Sequence, residues 1–354
     1  MKILDVITTL SHEFGTDRYV RGGGGNTSCK DASTLWVKPS GTTLSTLSPQ
    51  RFVALDRGKL ARLYTIKTPQ VASEREALIK EVMGHATRAG TQGRASAEAP
   101  LHDSLKACYV VHTHPYSVNG MTCARKGKAV CAELFPDALW IDYIDPGYTL
   151  CMAVRSEIQR YTDQHGVEPA LIFLKNHGVF VSADTPEEIR TLYAEVMDKL
   201  CAKYAEAGVE VALKCEPPLP DTELMMHRKL IRKAMGSDDL QIASSGRFDV
   251  ARGPISPDHM VYAKAYPYLG EPTAEGVAEF TKKHGYTPQV FSFNQSVFGV
   301  GENEKGAALA LELAKDAALV EQLASAFGGV AYMDDAAREF IENWEVESYR
   351  KKQV

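Results

Sequence analysis

Apolar residues recur at helical spacing in LDVITTLSHEFG, residues 4–15, and the glycine run Gly22–Gly25 stops that pattern, predicting a helix that leads into a tight loop. TLWVKPSG, residues 34–41, reads as a short strand ending in a Pro-Ser-Gly turn, and SEREALIKEVMGHATRAG, residues 73–90, as a helix ending at Gly90. The dense β-branched and aromatic run Tyr109-Val110-Val111 stands directly before His112 and His114, which places both histidines at a strand end. ALIFLKNHGVFVSA, residues 170–183, forms a second such strand. After it, Asp184 or Thr185 caps a helix that carries Pro186 in its first turn and runs to about Lys203. Strands alternating with helices indicate an α/β fold.

KCEPPLPDT, residues 214–222, concentrates three prolines after a long helical pattern and reads as a linker. The expected domains are therefore 1–215 and a smaller α/β extension, 216–354. Asn294-Gln295-Ser296-Val297-Phe298 echoes Asn176-His177-Gly178-Val179-Phe180, each after an apolar run and before a long helix pattern, so the extension reads as a degenerate repeat or as a chance likeness between two strand-turn-helix units. Because Gln295 stands where the first copy has His177, that copy is not expected to bind metal in the same way.

The length of 354 residues suits two domains, and 44% hydrophobic with 24% charged residues excludes whole-chain disorder, collagen-like repeats and coiled coil. Forty basic against forty-five acidic residues leave a net charge of −5, which gives no general attraction to nucleic acid or anionic membrane. A phosphate on any ligand must then be held locally. The first nineteen residues lack the unbroken apolar core of a signal peptide, and no apolar run reaches the roughly 18 residues that span a bilayer, so a cytoplasmic location is expected. Seven cysteines without a CxxC pair read as reduced core residues.

Side chains two apart on a strand share a face, so His112 and His114 either converge on one ion or stand as two exposed or hydrogen-bonded strand-end histidines. His177 is followed by Gly178, which permits an unusual backbone conformation or a close approach, and with it three neutral imidazoles leave an open fourth position, the architecture of a catalytic zinc site. Glu98, in ASAEAPLH, is either an exposed surface glutamate or, near a metal, a carboxylate that moves protons; His102, four residues on, either partners it or is merely a helix residue. The turns GGGGNTS (22–28) and KPSG (38–41) either are plain turns or free backbone N–H groups that, with Asn26, Thr27, Ser40 and Thr42, cradle an anion such as phosphate. Lys38 either assists that phosphate or extends into solvent. Neither turn fits the Walker pattern or the dinucleotide fingerprint, which disfavours nucleotide binding.

GGGGNTS, KPSG, SAEAPLH, VVHTHP and LKNHGVF occur in the order and context of the class II aldolase/adducin family, which residues 1–210 resemble. The resemblance implies a three-layer α/β/α fold around a central sheet. It implies zinc or another divalent ion such as Mn2+, Co2+ or Fe2+ on His112, His114 and His177, with Glu98 as general acid/base and a phosphate pocket at Asn26, Ser40, Gly41 and Ser96. Ala97 departs from the two serines that many members carry before the glutamate, which removes one phosphate hydrogen bond. Stretches 246–264, 298–315 and REFIENWEVESYRKK (338–352) resemble the region after the aldolase domain in long, rhamnulose-phosphate-aldolase-like members. There, Asp258-His259 reads as a ligand site or as a surface turn after Pro257. No dinucleotide fingerprint occurs in these residues, so no dehydrogenase activity is expected of them.

The activity implied is reversible cleavage of a ketose 1-phosphate into dihydroxyacetone phosphate and an aldehyde through a metal-stabilised enediolate. Alternatives on the same fold are a pentulose-phosphate 4-epimerase, a dehydratase or decarboxylase of a sugar-acid phosphate, and a non-catalytic adducin-like binding module. The expected partners are a phosphorylated sugar and further copies of the chain, a tetramer by family resemblance, with neither nucleic acid nor membrane.

Overall fold

The structure, a computed structural model, describes residues 2–344; the part of REFIENWEVESYRKK beyond Trp344 lies outside the described residues. Two compact units emerge, one from the residues up to Val118 with Lys128–Lys199, the other from Asn119–Gly127 with the chain from Leu200 on.

The first unit opens with helix α1 (Ile3–Glu13), followed by strands β1 (Asn26–Lys30), β2 (Thr34–Val37) and β3 (Val53–Asp56). Helices α2 (Arg57–Leu60), α3 (Ala72–Ala86) and α4 (Ala99–Ser104) lead to β4 (Tyr109–Thr113). Then come α5 (Tyr116–Thr122), most of which is counted in the second unit, α6 (Gly127–Leu134), β5 (Leu139–Ile141), α7 (Tyr148–His165), β6 (Leu171–Leu174), β7 (Gly178–Ala183) and α8 (Pro186–Glu206), whose residues from Leu200 on are counted in the second unit. Thr185 is the cap of α8: its hydroxyl accepts from Glu188 N while the Glu188 carboxylate accepts from Thr185 N. α3 stops at Ala86 rather than at Gly90, because Thr87 is drawn into a bridge with Leu55 of β3.

The seven strands form one sheet in the order β3-β2-β1-β4-β7-β6-β5, antiparallel except for β5 beside β6. Alternation along the central strands sorts their side chains into two layers. On one face Thr27 bonds to Ser11 of α1 and Thr113 to Tyr193 of α8. On the other, Val110 and Phe180 pack with Leu101 of α4 and Val154 of α7 in an apolar cluster. The expected α/β/α layering is thus present.

The run 170–183 is not one strand but a hairpin. β6 and β7 pair antiparallel across Lys175-Asn176-His177, and Asn176 takes the left-handed conformation (φ +54°) that lets the chain reverse. An asparagine tolerates that conformation, a signal that the apolar character of the flanking residues obscures in the sequence.

The second unit contains α9 (Asp221–Met235), β8 (Gln241–Gly246), α10 (Pro257–Tyr262), β9 (Tyr268–Leu269), α11 (Ala274–His284), β10 (Val290–Phe293), β11 (Ser296–Gly301), α12 (Glu304–Ala324) and α13 (Asp335–Asn343). Its sheet order, β8-β11-β10-β9, has the same neighbours and directions as β4-β7-β6-β5, down to the single parallel pair at the end. The connecting helices also follow the same plan. His112 lies opposite Phe180, and Ser244 lies opposite Phe298. The positions matching the three histidines are therefore Ser244, Gly246 and Gln295. Asp258 and His259 do not form a surface turn: both are buried in α10, where Ser256 and Asp316 bond the two His259 ring nitrogens at 2.8 and 3.1 Å. No helix among the described residues is long and apolar enough to cross a membrane.

A β-carbon on Gly246 would lie 1.8 Å from the Glu216 carbonyl oxygen and 2.7 Å from that of Pro217, so the backbone of 216–217 occupies the place of a side chain there. Gly246→Ala should cost about 1–3 kcal/mol, as other overpacked cores do, read as a lower urea midpoint.

Candidate active site

The site stands at the ends of β1, β4 and β7. Register places Asn26 of β1 beside His112 of β4, and Phe180 of β7 on the other side. His112 is fully buried, and its ring stacks on Phe180 with centroids 3.8 Å apart and planes 9° apart. Its Nδ1–H donates to the Val179 carbonyl at 2.9 Å, which leaves the Nε2 lone pair directed away from the sheet.

His114 lies one residue past β4, and His177 ends the β6–β7 turn. His114 Nε2 is 2.9 Å and His177 Nε2 is 3.4 Å from His112 Nε2. The three ligand nitrogens lie within 4.8 Å of one another, the one such group of possible metal ligands among the described residues. Gly178 permits this convergence by its lack of a side chain rather than by an unusual φ. A β-carbon there would come within 2.4 Å of the Thr113 carbonyl oxygen and 2.7 Å of His114 Cδ2.

Glu98 is buried at the N-terminal edge of α4. Its Oε2 accepts from Asn26 Nδ2 at 2.6 Å and lies 3.7 Å from His112 Nε2. Oε1 lies 3.6 Å from His177 Nε2 and, though buried, has no hydrogen-bond partner. Burial works to raise the Glu98 carboxyl, but the neighbouring His112 and His177 imidazoles and the hydrogen bond from the Asn26 amide outweigh it, and the net shift is downward. Burial drives His112 well below the ordinary histidine range, so it is neutral at pH 7, the form a metal ligand requires. Three converging imidazoles, one with its second nitrogen already anchored, beside a buried carboxylate oxygen lacking a donor, fit a divalent cation.

His102 is not a passive helix residue. Its Nδ1 is 2.7 Å from Ser28 Oγ, and its Nε2 makes a short bond with Asn26 Oδ1. Burial, with Lys30 as a lesser cause, also pushes its pKa well below the usual value.

Of the residues expected to hold phosphate, Ser96 is brought to the site: its hydroxyl accepts from Asn26 Nδ2 at 3.2 Å. Ser40 and Gly41 are carried alongside by the Pro39–Ala95 bridge and the bond from Ser40 N to Arg94 O. Thr27 is not brought there. Strand alternation turns its side chain to the opposite face, onto Ser11. Thr42 bonds its own turn at Pro39 O. Lys38 follows neither expectation: it is buried, and its ammonium donates to the carbonyls of Gly23 and Gly25, tying down the glycine-rich loop. A lysine after a strand carries no sequence sign of such a fold-back.

A family model described as the Class II Aldolase and Adducin N-terminal domain matches residues 5–205, and the chain belongs to this family. It is 24% identical over 415 residues to the uncharacterised oxidoreductase YuxG of Bacillus subtilis (strain 168), a similarity covering 99% of this chain. The chain spans 58% of the length of that curated relative. Among solved structures, it is similar to the N-terminal class II aldolase domain of a conserved protein from Thermoplasma acidophilum (TM-score 0.48, 23% identity, 56% of this chain and 91% of that one). It is also similar to L-fuculose-1-phosphate aldolase from Thermus thermophilus (TM-score 0.36, 13% identity, 57% of this chain and 94% of that one).

Two buried neutral histidines have a consequence for acid stability. Their pKa values are depressed by folding, so below about pH 6.5 the unfolded chain takes up protons that the folded chain refuses. Metal-free protein should lose stability as pH falls from 7 to 5, by up to about 1.4 kcal/mol per pH unit for each histidine. Urea midpoints across that range should show it, with a shallower slope in His102→Gln.

Proposed function

We propose that the chain is a metal-dependent carbon–carbon lyase that reversibly cleaves a ketose 1-phosphate into dihydroxyacetone phosphate and an aldehyde. The observation that carries this reading is the Glu98 carboxylate set against the three-histidine cluster, one oxygen held by Asn26 and the other without a donor. His112, His114 and His177 would hold zinc or another divalent ion. Bound there, that ion supplies Lewis-acid stabilisation of the negative charge developing on the substrate's carbonyl and hydroxyl oxygens, worth several kcal/mol.

The remaining steps belong to the chain's own groups. In cleavage the C4 hydroxyl gives its proton to solvent water, the C3–C4 bond breaks, C4 becomes the aldehyde carbon and the electron pair passes to the three-carbon fragment, while Glu98 takes up a proton from solvent. Protonated Glu98 then gives its proton to C3, completing dihydroxyacetone phosphate. In the aldol direction, ionised Glu98 removes a proton from the same carbon. Its lowered pKa favours the ionised form at neutral pH. Ser40, Gly41 and Ser96 receive the phosphate on this reading.

Catalysis resides in residues 1–215, with 216–354 as an extension that lacks the ligand histidines. A cytoplasmic homo-oligomer, a tetramer on the family's pattern, completes the proposal.

The C3 proton transfer can be followed without knowing the aldehyde, by proton NMR of dihydroxyacetone phosphate in D2O. Metal-loaded protein should exchange one C3 hydrogen, and Glu98→Gln should lower that rate by about 10²- to 10⁴-fold while retaining its metal. Near-normal exchange by the variant would remove Glu98 from the mechanism. L-fuculose 1-phosphate and L-rhamnulose 1-phosphate serve as cleavage probes. Release of dihydroxyacetone phosphate supports the lyase, whereas an isomer, loss of water or carbon dioxide would point to the epimerase, dehydratase or decarboxylase.

A further inference from the structure

The geometry points to His102 as the residue that positions the Glu98 carboxylate, acting through the side-chain amide of Asn26. The inference rests on the reading of Glu98 as the proton-transferring group and adds to it a residue that touches neither substrate nor metal.

His102 lies four residues after Glu98, one turn along α4, and is wholly buried. Asn26 and Ser28, two apart on β1, face it from the same side of the sheet. A buried neutral imidazole has one N–H and one lone pair, so the two contacts must be of opposite kinds. One arrangement has Ser28 O–H donating to Nδ1 while Nε2–H donates to Asn26 Oδ1. The Asn26 amide then turns its NH2 toward Glu98 Oε2, at 2.6 Å, and Ser96 Oγ, at 3.2 Å.

In the opposite tautomer Nε2 is an acceptor, and the amide would turn over to donate to it. Asn26 Oδ1 would then face the ionised carboxylate, acceptor against acceptor, at a buried site where that costs most. The ring proton of His102 thereby decides whether Glu98 meets a donor. Phe180, in edge contact with the His102 ring at 5.3 Å and stacked on His112, walls the ring in place.

The consequence at Glu98 is a division of labour between its oxygens. Oε2 is anchored by Asn26, and Oε1 remains without a hydrogen-bond partner, 3.6 Å from His177 Nε2. Without the anchor the carboxylate can rotate and both oxygens compete for the same surroundings. Displacements of about 1 Å in such a group cost roughly 10²-fold in rate. The flanking Leu101 and Leu105 lie in the apolar cluster, so an imidazole at 102 stands out from a face that packing alone would fill with carbon.

The test uses His102→Leu and His102→Gln, with dihydroxyacetone phosphate exchange in D2O as the kinetic readout. Leucine removes both hydrogen bonds, whereas the glutamine amide can still donate to Asn26 Oδ1. His102→Leu is expected to keep its metal and to reach half-maximal exchange at a dihydroxyacetone phosphate concentration within about 3-fold of the unsubstituted protein. Its maximal rate should fall about 10- to 100-fold, and His102→Gln should recover most of the loss. An unchanged maximal rate in His102→Leu, or no recovery in His102→Gln, overturns the inference.

A second readout needs no variant. The 15N shifts of the His102 ring should report the Nε2–H tautomer, in protein with or without metal, and the Nδ1–H tautomer would contradict the inference. If Glu98→Gln itself exchanges normally, the assignment of Glu98 fails whatever His102 does. If Glu98→Gln is inactive while His102→Leu exchanges at the normal rate, only the positioning role fails.

Discussion

The site depends on the antiparallel pairing of β4 with β7. Five consecutive residue pairs, from Tyr109 opposite Ala183 to Thr113 opposite Val179, fix the end of one strand against the beginning of the other. A slip of one residue would turn His112 to the opposite face of the sheet, toward α1 and α8, and leave the cluster without its central member. The closeness of the pair is set at Gly178, where any β-carbon would strike the Thr113 carbonyl and the His114 ring. Two ligands on one strand end and a third on the neighbouring turn therefore meet because the sheet is built, before any ion is considered.

Around that pairing the two faces have separate tasks. One carries Asn26, Ser28 and His112 toward α4, which supplies Glu98 and His102. The other carries Thr27 and Thr113 to hydroxyls on α1 and α8, which hold the sheet from behind. The polar groups around the site are linked in series: Ser28 to His102, His102 to Asn26, Asn26 to Glu98 and Ser96. Networks of this kind specify one arrangement when fully satisfied, and here the exception is a single carboxylate oxygen beside the histidines.

Much of this was legible in the sequence wherever a local rule and the tertiary fold agree. The strand end bearing His112 and His114, the Thr185 cap with Pro186 behind it, and the close approach signalled by Gly178 all follow from backbone preferences of a few residues. The echo around Asn294 was legible for the same reason, since a left-handed asparagine recurs at the turn of both hairpins. What escaped were facts of the third dimension. Nothing in KPSG shows that Lys38 folds back onto two glycine carbonyls, and nothing around Pro257 shows that His259 meets Asp316, 57 residues away. The placement of Thr27 was within reach, because alternation from Asn26 already turns it away.

The second unit shows which parts of the arrangement can be separated. It keeps the strand order of the first and replaces all three histidines with Ser244, Gly246 and Gln295, while chain segment 216–217 lies over the place a side chain at 246 would take. The scaffold thus persists without its chemistry, which makes the three imidazoles of the first unit the feature on which the functional account stands. The most direct measurement is the divalent-metal content per chain, by elemental mass spectrometry on protein purified without chelators or a histidine tag. About one zinc, manganese, cobalt or iron ion per chain is expected, lost in His177→Ala. Protein that holds no metal after reconstitution, or a His177→Ala variant that retains its ion, would contradict it.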